Sequence, residues 1–381
     1  MSKHGWTYKK LTDVSEIQYG FAFDSNYFCE DNSYPQLIRI RDVVRGFSET
    51  FFRGEVPDNY WVNKGEYLIG MDGEFNIAPW QSDRALLNQR VCKITSKNSD
   101  CLIRFIYYNM QSILKAIEDE TPFVTVKHLS AKKLNAVKLP VPGMAEQEAI
   151  VAELDEINEA IAALQQQVAD LDTLAQSTFY DMFGDPVTNP KAWPVKPMGE
   201  VGELHRGSGL SKKDLIENGF PCILYGQIHT KFGAYTTSHL TCIPQQLVET
   251  AKIAKYGDIL MAITSEDVEG SCKSVAWMGD YEIAIGSDAA IYRHKLNPIF
   301  VSYYTQTSAF FAEKSKYAKG FKVTHISTKE IGKIPIFIPP LALQQEFAAK
   351  VEAIESAKAE LNAQIAEMQT LLASRMDYYF E

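Results

Sequence analysis

The chain has 381 residues, of which 46% are hydrophobic and 12% aromatic, and its formal net charge is -10. A single hydrophobic core rarely keeps growing beyond about 250–300 residues, so this length predicts at least two domains. The first residues, MSKHGWTYKK, lack the apolar segment of a signal peptide, and no run approaches the roughly 18 apolar residues of a membrane span. The composition therefore predicts a soluble, cytoplasmic protein with no membrane partner.

The negative charge is unevenly distributed along the chain. Residues 143–185 carry a net charge of -10 and residues 340–381 one of -4, whereas residues 1–142 and 186–339 together carry +4. Nucleic-acid binding requires lysine and arginine to neutralise phosphate. The charge balance thus permits nucleic-acid binding by the two weakly basic segments and predicts that the acidic segments face protein.

Six cysteines are scattered without a C-x-x-C pair. This spacing favours buried free thiols over a zinc site or a disulfide framework.

The two halves of the chain resemble each other. Short matching segments occur in the same order and with similar spacing in both halves, which indicates that a domain was duplicated. The matching segments are 6–14 with 193–201, 34–43 with 220–229, 65–71 with 257–263, and 102–110 with 298–306. Short apolar runs such as CILYGQI (222–228) and GDILMAI (257–263), bounded by Gly and Pro, predict strands, and helices are predicted at 102–117 and 299–313. Each half is predicted to be a mixed α/β (α+β) globular domain followed by one long helix.

The clearest match joins residues 126–150 to residues 323–347, where seven of 25 positions are identical. The identical pairs are Val126/Val323, His128/His325, Ser130/Ser327, Lys132/Lys329, Pro142/Pro339, Ala145/Ala342 and Gln147/Gln344. The motif is interpreted as the joint that closes a globular domain and begins a helix. The predicted boundaries are 1–142, 143–185, 186–339 and 340–381.

Both acidic segments show the periodicity of a coiled coil. Apolar residues recur at alternating steps of four and three, which is the a/d pattern. The predicted contact positions are Ile150, Leu154, Ile157, Ile161, Leu164, Val168, Leu171, Phe347, Val351, Ile354, Leu361, Ile365 and Met368, with Lys358 at one further position. Gly184 and Pro186 are predicted to end the first helix. Two helices of similar length favour an intramolecular, antiparallel coiled coil; the alternative is that each helix packs only on its own domain.

No common catalytic motif is present in the sequence. HRGSG (205–209) lacks the spacing of a dinucleotide or phosphate loop, and FIPPL (337–341) has Ile where an adenine methyltransferase needs Asp or Asn. The seven histidines show no metal-ligand spacing, and His128 and His325 fit structural or partner contacts better than catalytic bases. The chain is therefore predicted to be non-catalytic, without a cofactor or a metal.

The doubled motif LSAKKLNAVKLPVPGMAEQ (129–147) and ISTKEIGKIPIFIPPLALQ (326–344) resembles the joint between a target recognition domain and the following helix in specificity subunits of type I restriction-modification systems. The resemblance covers essentially the whole chain. It implies two recognition domains, one per half-site of a bipartite site in double-stranded DNA, and a coiled coil that sets the spacer. One departure is that Glu146 of the first copy is replaced by Leu343 in the second.

The same resemblance implies partners and their chemistry. Two methyltransferase subunits bind such a chain, and restriction subunits join the larger complex. Those subunits supply the chemistry of S-adenosylmethionine, ATP and metal. The modest identity between the two halves predicts an asymmetric site. The resemblance implies a spacer of roughly six to eight base pairs, and about one helical turn is expected between half-site centres.

Side chains with paired donors and acceptors are the candidates for reading bases, because Arg pairs with guanine and Asn or Gln with adenine. For each residue the alternative is a solvated surface group. In the first domain the candidates are Arg39, Arg41, Asn76, Gln81 and Arg84, the last three in a predicted polar loop. In the second they are Gln227, His229, Lys231, Ser265, Lys273, Lys319, Lys322 and Thr324, with 227–231 taken as the equivalent of 41–45.

Two other functions remain open from the sequence. One is a duplicated coiled-coil scaffold that joins proteins without touching nucleic acid. The other is a hydrolase or transferase with an unrecognised site.

Overall fold

The computed structural model describes residues 4–97, 99–121, 127–318 and 323–380. It divides into two compact units, the first formed by Met1–Gln165 with Ala363–Glu381 and the second by Gln166–Asn362. Each unit contains part of both long helices. Among the described helices, none is long and apolar enough to cross a membrane.

In the described part of the first unit, a mixed set of helices and strands precedes the first long helix. The helices are α1 (Leu11–Val14), α2 (Ile40–Arg45), α3 (Ile103–Asp119), α4 (Ala131–Asn135) and the start of α5 (Met144–Phe183). The strands are β1 (Thr7–Lys10), β2 (Ser15–Tyr19), β3 (Phe28–Cys29), β4 (Gln36–Ile38), β5 (Phe51–Phe52), β6 (Trp61–Val62), β7 (Tyr67–Gly70), β8 (Asn76–Pro79), β9 (Ala85–Leu87), β10 (Val91–Ser96) and β11 (Lys138–Val141). They form an antiparallel sheet β2-β10-β7-β8, a mixed sheet β3-β5-β4-β9-β6 and the pair β1-β11.

The described part of the second unit repeats this order. Its helices are α6 (Met198–Val201), α7 (Tyr225–Thr230), α8 (Pro298–Tyr304), α9 (Ser308–Ser315), α10 (Thr328–Ile331) and the start of α11 (Leu341–Phe380). Its strands are β12 (Val195–Pro197), β13 (Gly202–Arg206), β14 (Phe220–Ile223), β15 (Tyr235–Thr236), β16 (Thr241–Ile243), β17 (Lys252–Ala254), β18 (Ile259–Ala262), β19 (Thr264–Ser265), β20 (Ser274–Trp277), β21 (Ile283–Ile285), β22 (Ala289–His294), β23 (Thr324–His325) and β24 (Pro335–Phe337). The sheets are β13-β22-β18-β20-β15 and β16-β14-β21-β17, with the pairs β12-β24 and β19-β23. The predicted duplication is thus confirmed in the fold.

The repeated motif folds into the same order of elements in both units, a short capped helix followed by a strand. Ser130 and Ser327 cap α4 and α10, each hydroxyl accepting a hydrogen bond from the backbone N–H three residues later at 3.2 Å. The chain then enters β11 or β24, which pairs with the first strand of its own unit. The long helix follows, so the motif closes the unit on its own N-terminal strand before the helix begins.

One buried glutamine fixes each long helix to its unit. Gln147 is fully buried, and its amide accepts from the Leu102 N–H at 2.9 Å and donates to the carbonyls of Asp100 and Pro142 at 3.0 Å each. Gln344 accepts from the Asn297 N–H at 2.9 Å. It donates to the Pro339 carbonyl at 2.8 Å. Leu102 and Asn297 are the N-caps of α3 and α8, so the amide joins two helix starts.

The two long helices run antiparallel, as the sequence predicts. In the first unit, Glu153 of α5 accepts hydrogen bonds from Arg375 and Tyr379 of α11. In the second, Asp172 of α5 accepts from Lys358 at 2.6 Å. Residue numbers therefore increase along α5 while the numbers of the α11 residues that it contacts decrease, as expected for antiparallel helices.

The predicted contact positions show graded burial. Ile150, Leu154, Ile157, Ile161, Phe347, Val351, Ile354 and Ile365 are buried, whereas Leu164, Val168, Leu171, Leu361 and Met368 are half-buried. Lys358, the charged residue of the pattern, leaves only 16% of its side chain exposed. Although burial lowers the pKa of Lys358, its bonds to Asp172 and Glu355 outweigh this effect and raise it. Gly184 ends α5 with φ of 80°, the left-handed cap that glycine favours.

Two predicted elements differ from those in the structure. The segment 222–228 is not one strand, because β14 ends at Ile223 and α7 begins at Tyr225. The predicted helix at 299–313 is two helices, because Thr307 caps α9 by accepting from the Phe310 N–H at 3.3 Å. A local cap of this kind starts a new helix inside a segment whose apolar pattern predicts a single element.

Replacing Gln147 with Ala is expected to lower the free energy of unfolding by about 3 kcal/mol, since two carbonyls and one N–H lose their buried partner. Gln165 is exposed on the same helix, and Gln165→Ala is the matched control, expected within about 0.5 kcal/mol of wild type. Urea titration followed by circular dichroism measures both. Equal effects would contradict the role assigned to Gln147.

Buried thiols are expected to make the protein less stable at alkaline pH. Burial raises the pKa of Cys92, Cys222 and Cys272 to about 12. In the unfolded chain these thiols ionise at ordinary values, so their stabilisation is complete below about pH 8 and is lost as the pH rises. The urea midpoint should fall less between pH 8 and pH 10.5 for Cys92→Ala than for wild type. Cys29→Ala is the same substitution at a half-buried site and serves for comparison. An equal fall of the midpoint in Cys92→Ala and wild type would contradict the prediction.

Candidate nucleic-acid interface

In the first unit, exposed arginines surround the start of α2. Arg39 and Arg41 line a polar cavity of about 700 Å³ that also includes Glu30 and Glu49. Beneath them Asp42 is fully buried and accepts from the Arg39 backbone N–H at 2.9 Å. The Asp42 carboxylate lies 3.7 Å from the Arg41 Nε. The buried carboxylate therefore holds the backbone at Arg39 and lies beside the exposed guanidinium of Arg41.

Gln81 packs against the other end of α2. Gly46 ends the helix with φ of 75°, and its carbonyl accepts from the Gln81 N–H at 3.1 Å. A Cβ at Gly46 would lie 2.7 Å from the Gln81 Cγ, so the close approach requires glycine. The structure thus brings Arg39, Arg41 and Gln81 to one small helix.

The other two candidates of the first unit lie elsewhere. Arg84 is exposed and its guanidinium stacks 4.2 Å from the centre of the Trp61 ring. Asn76 is not in a loop, as the sequence indicated, but is the first residue of β8, where it pairs with Gly70. Its amide donates to the Glu74 carbonyl at 3.0 Å, so Asn76 is engaged within the fold.

In the second unit, His229, Ser265 and Lys273 lie close together. His229 Nε2 is 3.0 Å from the Thr264 carbonyl, one residue before Ser265. Lys273 donates through Nζ to the His229 carbonyl at 2.7 Å. A short strand, a helix end and a loop therefore meet at one polar surface.

The equivalence of 227–231 with 41–45 is wrong by one residue. The Gln227 side chain accepts from the Leu224 N–H at 2.9 Å, which is the role of Asp42 toward Arg39 in the first unit. Gln227 also donates to Thr241 Oγ1 at 3.2 Å, so both ends of its amide are held internally. Lys231 is exposed and lines a cavity of about 1000 Å³ with Tyr225.

The remaining candidates follow α9. Thr324 is buried at 4% exposure in β23, which pairs with β19. Lys319 and Lys322 lie outside the described residues.

A charged residue near the end of each domain helix holds the adjacent loop. In the first unit, the Glu118 carboxylate accepts from the Phe75 N–H at 3.0 Å and from Lys127 Nζ at 3.3 Å. In the second, Lys314 is buried and donates to the carbonyls of Glu269 and Ser271 at 2.6 and 2.5 Å. Burial lowers the pKa of Lys314. Helices α3 and α9 thus fix the loops beside the candidate surfaces.

Arg90, Asp288 and their neighbours were missed by the sequence analysis, although they occupy matching positions in the two units. The signal available was the identical pair His128 and His325, which contact Arg90 and Thr264 respectively. Arg90 and Asp288 differ in charge, so matching identical residues does not find them.

No group of three or more His, Cys, Asp or Glu residues arranged to hold a metal ion occurs in the described part of the chain. The chemistry offered by the candidate surfaces is hydrogen bonding and charge. The described part of each unit thus presents polar side chains that can hydrogen-bond and pair charges with a ligand.

The chain belongs to the family described as the type I restriction modification DNA specificity domain, whose model matches residues 3–171 and again residues 190–368. The resemblance to specificity subunits that the repeated joint indicated is thereby confirmed.

Named relatives agree with this family. The type I restriction enzyme EcoBI specificity subunit of Escherichia coli is 40% identical over 171 residues, which are 45% of this chain and 35% of that subunit. The chain therefore matches about a third of that relative's length. The MjaVIII specificity subunit of Methanocaldococcus jannaschii is 21% identical over 318 residues, which are 77% of this chain and 73% of that subunit.

Two solved structures share the fold over nearly the full chain. The S subunit of a type I restriction-modification system from M. genitalium has a TM-score of 0.53 at 14% identity and covers 100% of this chain and 97% of its own. A chain from a type I system, solved to describe complex assembly and conformational transition, has a TM-score of 0.55 at 18% identity, with coverage of 99% and 98%. At these identities the likeness concerns the fold.

Lys314→Met is expected to loosen the loop at 266–272, because two carbonyls lose their buried donor. Amide hydrogen exchange in this loop should accelerate by about five- to hundredfold. Lys316→Met is the matched control, since Lys316 is exposed and pairs only with Glu313 in the described contacts. Unchanged exchange in Lys314→Met would show that Lys314 does not hold the loop.

Proposed function

We propose that this chain is the DNA-reading subunit of a cytoplasmic type I restriction-modification complex. Each unit reads one half-site of a bipartite, asymmetric sequence in double-stranded DNA, and the paired helices set the spacer. The chain binds two methyltransferase subunits, and restriction subunits join the assembly. Methylation and cleavage are carried out by those partners.

The duplication carries this proposal. Two homologous units, each with a cavity next to a short helix, match a target with two half-sites. The surfaces differ in side chains, with Arg39 and Arg41 in one and Tyr225 and Lys231 in the other, which fits half-sites of different sequence. The domain boundaries proposed for the recognition segments are 1–142 and 186–339.

Equivalent exposed leucines support two copies of one partner. Leu174 on α5 is 49% exposed and Leu371 on α11 is 44% exposed, and both lie 31 positions into helices of 40 residues. Apolar side chains repeated on the outer surface of two acidic helices favour a protein partner over DNA. Each leucine is proposed to contact one methyltransferase subunit.

The second candidate function is a scaffold that joins proteins without touching DNA. It is favoured by the acidity of the helical segments and by the same exposed leucines. It differs from the first candidate in giving the arginines around α2 no role.

Arg39→Glu with Arg41→Glu is expected to reduce DNA binding by the reconstituted complex at least tenfold. Each phosphate that loses an arginine would also reduce the salt slope, log Kobs against log salt, by about 0.9. Fluorescence anisotropy at several salt concentrations measures both quantities.

Lys115→Glu is the matched control, because Lys115 is an exposed cation on α3 paired with Asp119. It should change binding less than twofold. If the double variant also binds, methylates and assembles as wild type does, the scaffold is the better description.

Leu174→Glu and Leu371→Glu are each expected to remove one methyltransferase copy, and the double variant both, because a charge would be buried at the contact. Native mass spectrometry of the assembled complex counts the copies. Tyr256→Glu, at a residue 63% exposed in a turn of the second unit, should leave both copies bound. Retention of both copies in the double variant would place the docking surface elsewhere.

A further inference from the structure

We propose that Arg90 and Asp288 are specificity-determining residues, each reading one base pair in the half-site of its own unit. Their opposite hydrogen-bonding chemistry, donor against acceptor, makes the two half-sites differ at this position. The inference rests on the proposed function and deepens it.

The two residues occupy the same backbone position. Arg90 directly precedes β10 and Asp288 directly precedes β22, which are equivalent strands within the main sheets. The Arg90 carbonyl accepts from the Met71 N–H at 2.9 Å, and the Asp288 carbonyl accepts from the Ile263 N–H at 3.0 Å. Each carbonyl therefore bonds the equivalent neighbour just before a central strand. The backbone is left-handed at Arg90 and not at Asp288, but both side chains contact the residue after that neighbour, Asp72 or Thr264.

In the first unit the Arg90 side chain is held by two neighbours while 53% of it remains exposed. Its Nε lies 3.5 Å from an Asp72 oxygen, and its Nη1 lies 3.1 and 3.2 Å from the two ring nitrogens of His128. His128 also hydrogen-bonds Asp72, which completes a three-residue cluster. The guanidinium is thus oriented before any ligand binds, which reduces the entropy lost on binding.

The backbone of Arg90 supports a functional reason for this residue. Its φ is 71°, in the left-handed region that side chains other than glycine and asparagine seldom adopt. Strained backbone of this kind concentrates at binding sites. A half-exposed ion pair contributes little stability by itself, so packing alone does not account for an arginine here.

In the second unit the equivalent cluster presents a hydrogen-bond acceptor, the Asp288 carboxylate. Thr264 replaces Asp72, and its hydroxyl lies 3.2 Å from His325 Nδ1. The same hydroxyl donates to the Asp288 carboxylate at 3.2 Å. Asp288 is half-buried and lines the cavity of about 1000 Å³ next to Lys231. A carboxylate is presented where the first unit presents a guanidinium.

The chemistry of base edges converts this difference into sequence preference. Arginine pairs with O6 and N7 of guanine, whereas aspartate accepts a hydrogen bond from N4 of cytosine. Arg90 is therefore assigned a guanine in the first half-site and Asp288 a cytosine in the second. Asp72 and Thr264 are positioning residues, because they act through Arg90 and Asp288.

The test uses the full chain assembled with its methyltransferase partner, and it measures methylation of a DNA library with randomised positions. Arg90→Gly, which suits the positive φ, should reduce discrimination about ten- to hundredfold at one base pair of one half-site. Asp288→Asn should move the preference at one base pair of the other half-site from cytosine to adenine, because asparagine pairs with adenine.

Two further variants and two controls complete the experiment. Arg90→Lys keeps the charge but loses the paired donors, so it should lose discrimination at the same base pair even if Arg90→Gly folds poorly. Asp72→Asn should weaken discrimination there and nowhere else, whereas a purely structural role would lower methylation of all sequences equally. Arg53→Ala and Glu282→Gln, at exposed residues of the two units, should retain the wild-type motif.

The outcomes separate the inference from the function on which it rests. A wild-type complex that methylates without sequence preference would overturn the proposed function. A specific wild-type complex whose motif is unchanged by Arg90→Lys and Asp288→Asn would overturn this inference alone. The inference would also be overturned if Arg90→Lys and Asp288→Asn changed the base preference in the same half-site.

Discussion

Each unit depends on one buried amide at the start of its long helix. Gln147 and Gln344 bond to backbone groups that precede or cap α3 and α8, and to a proline carbonyl before α5 or α11. An amide supplies both a donor and an acceptor in fixed geometry, which an apolar side chain does not. The direction in which a long helix leaves its unit is therefore set by hydrogen bonds within about one helical turn of its first residue.

The sequence predicts those features whose physical cause is periodic or repeated. The contact pattern of α5 and α11 was visible because apolar residues must recur every three or four positions to remain on one helix surface. The joint was visible because Ser130 and Ser327, and the two buried glutamines, are identical residues in identical roles. The family followed from the same repetition.

Features that depend on local capping or on differences between the units were not predicted. Gln227 caps α7 through its side chain, which shifts the equivalence with the first unit by one residue and places its amide inside the fold. Thr307 divides α8 from α9 with a single hydroxyl. Arg90 and Asp288 share only a backbone position, which becomes apparent when the bonds to Met71 and Ile263 are compared.

The division of the helices between units has a consequence for biosynthesis. The last turns of α11 belong to the first unit, where Met376 is buried in its core and Phe380 packs 5.6 Å from Phe105. A ribosome makes the N-terminal part of this core long before it makes the residues that complete it. The second unit, Gln166–Asn362, is complete in sequence earlier than the first. The first unit, whose synthesis begins earlier, thus receives the last residues of its core only after the second unit is fully synthesised.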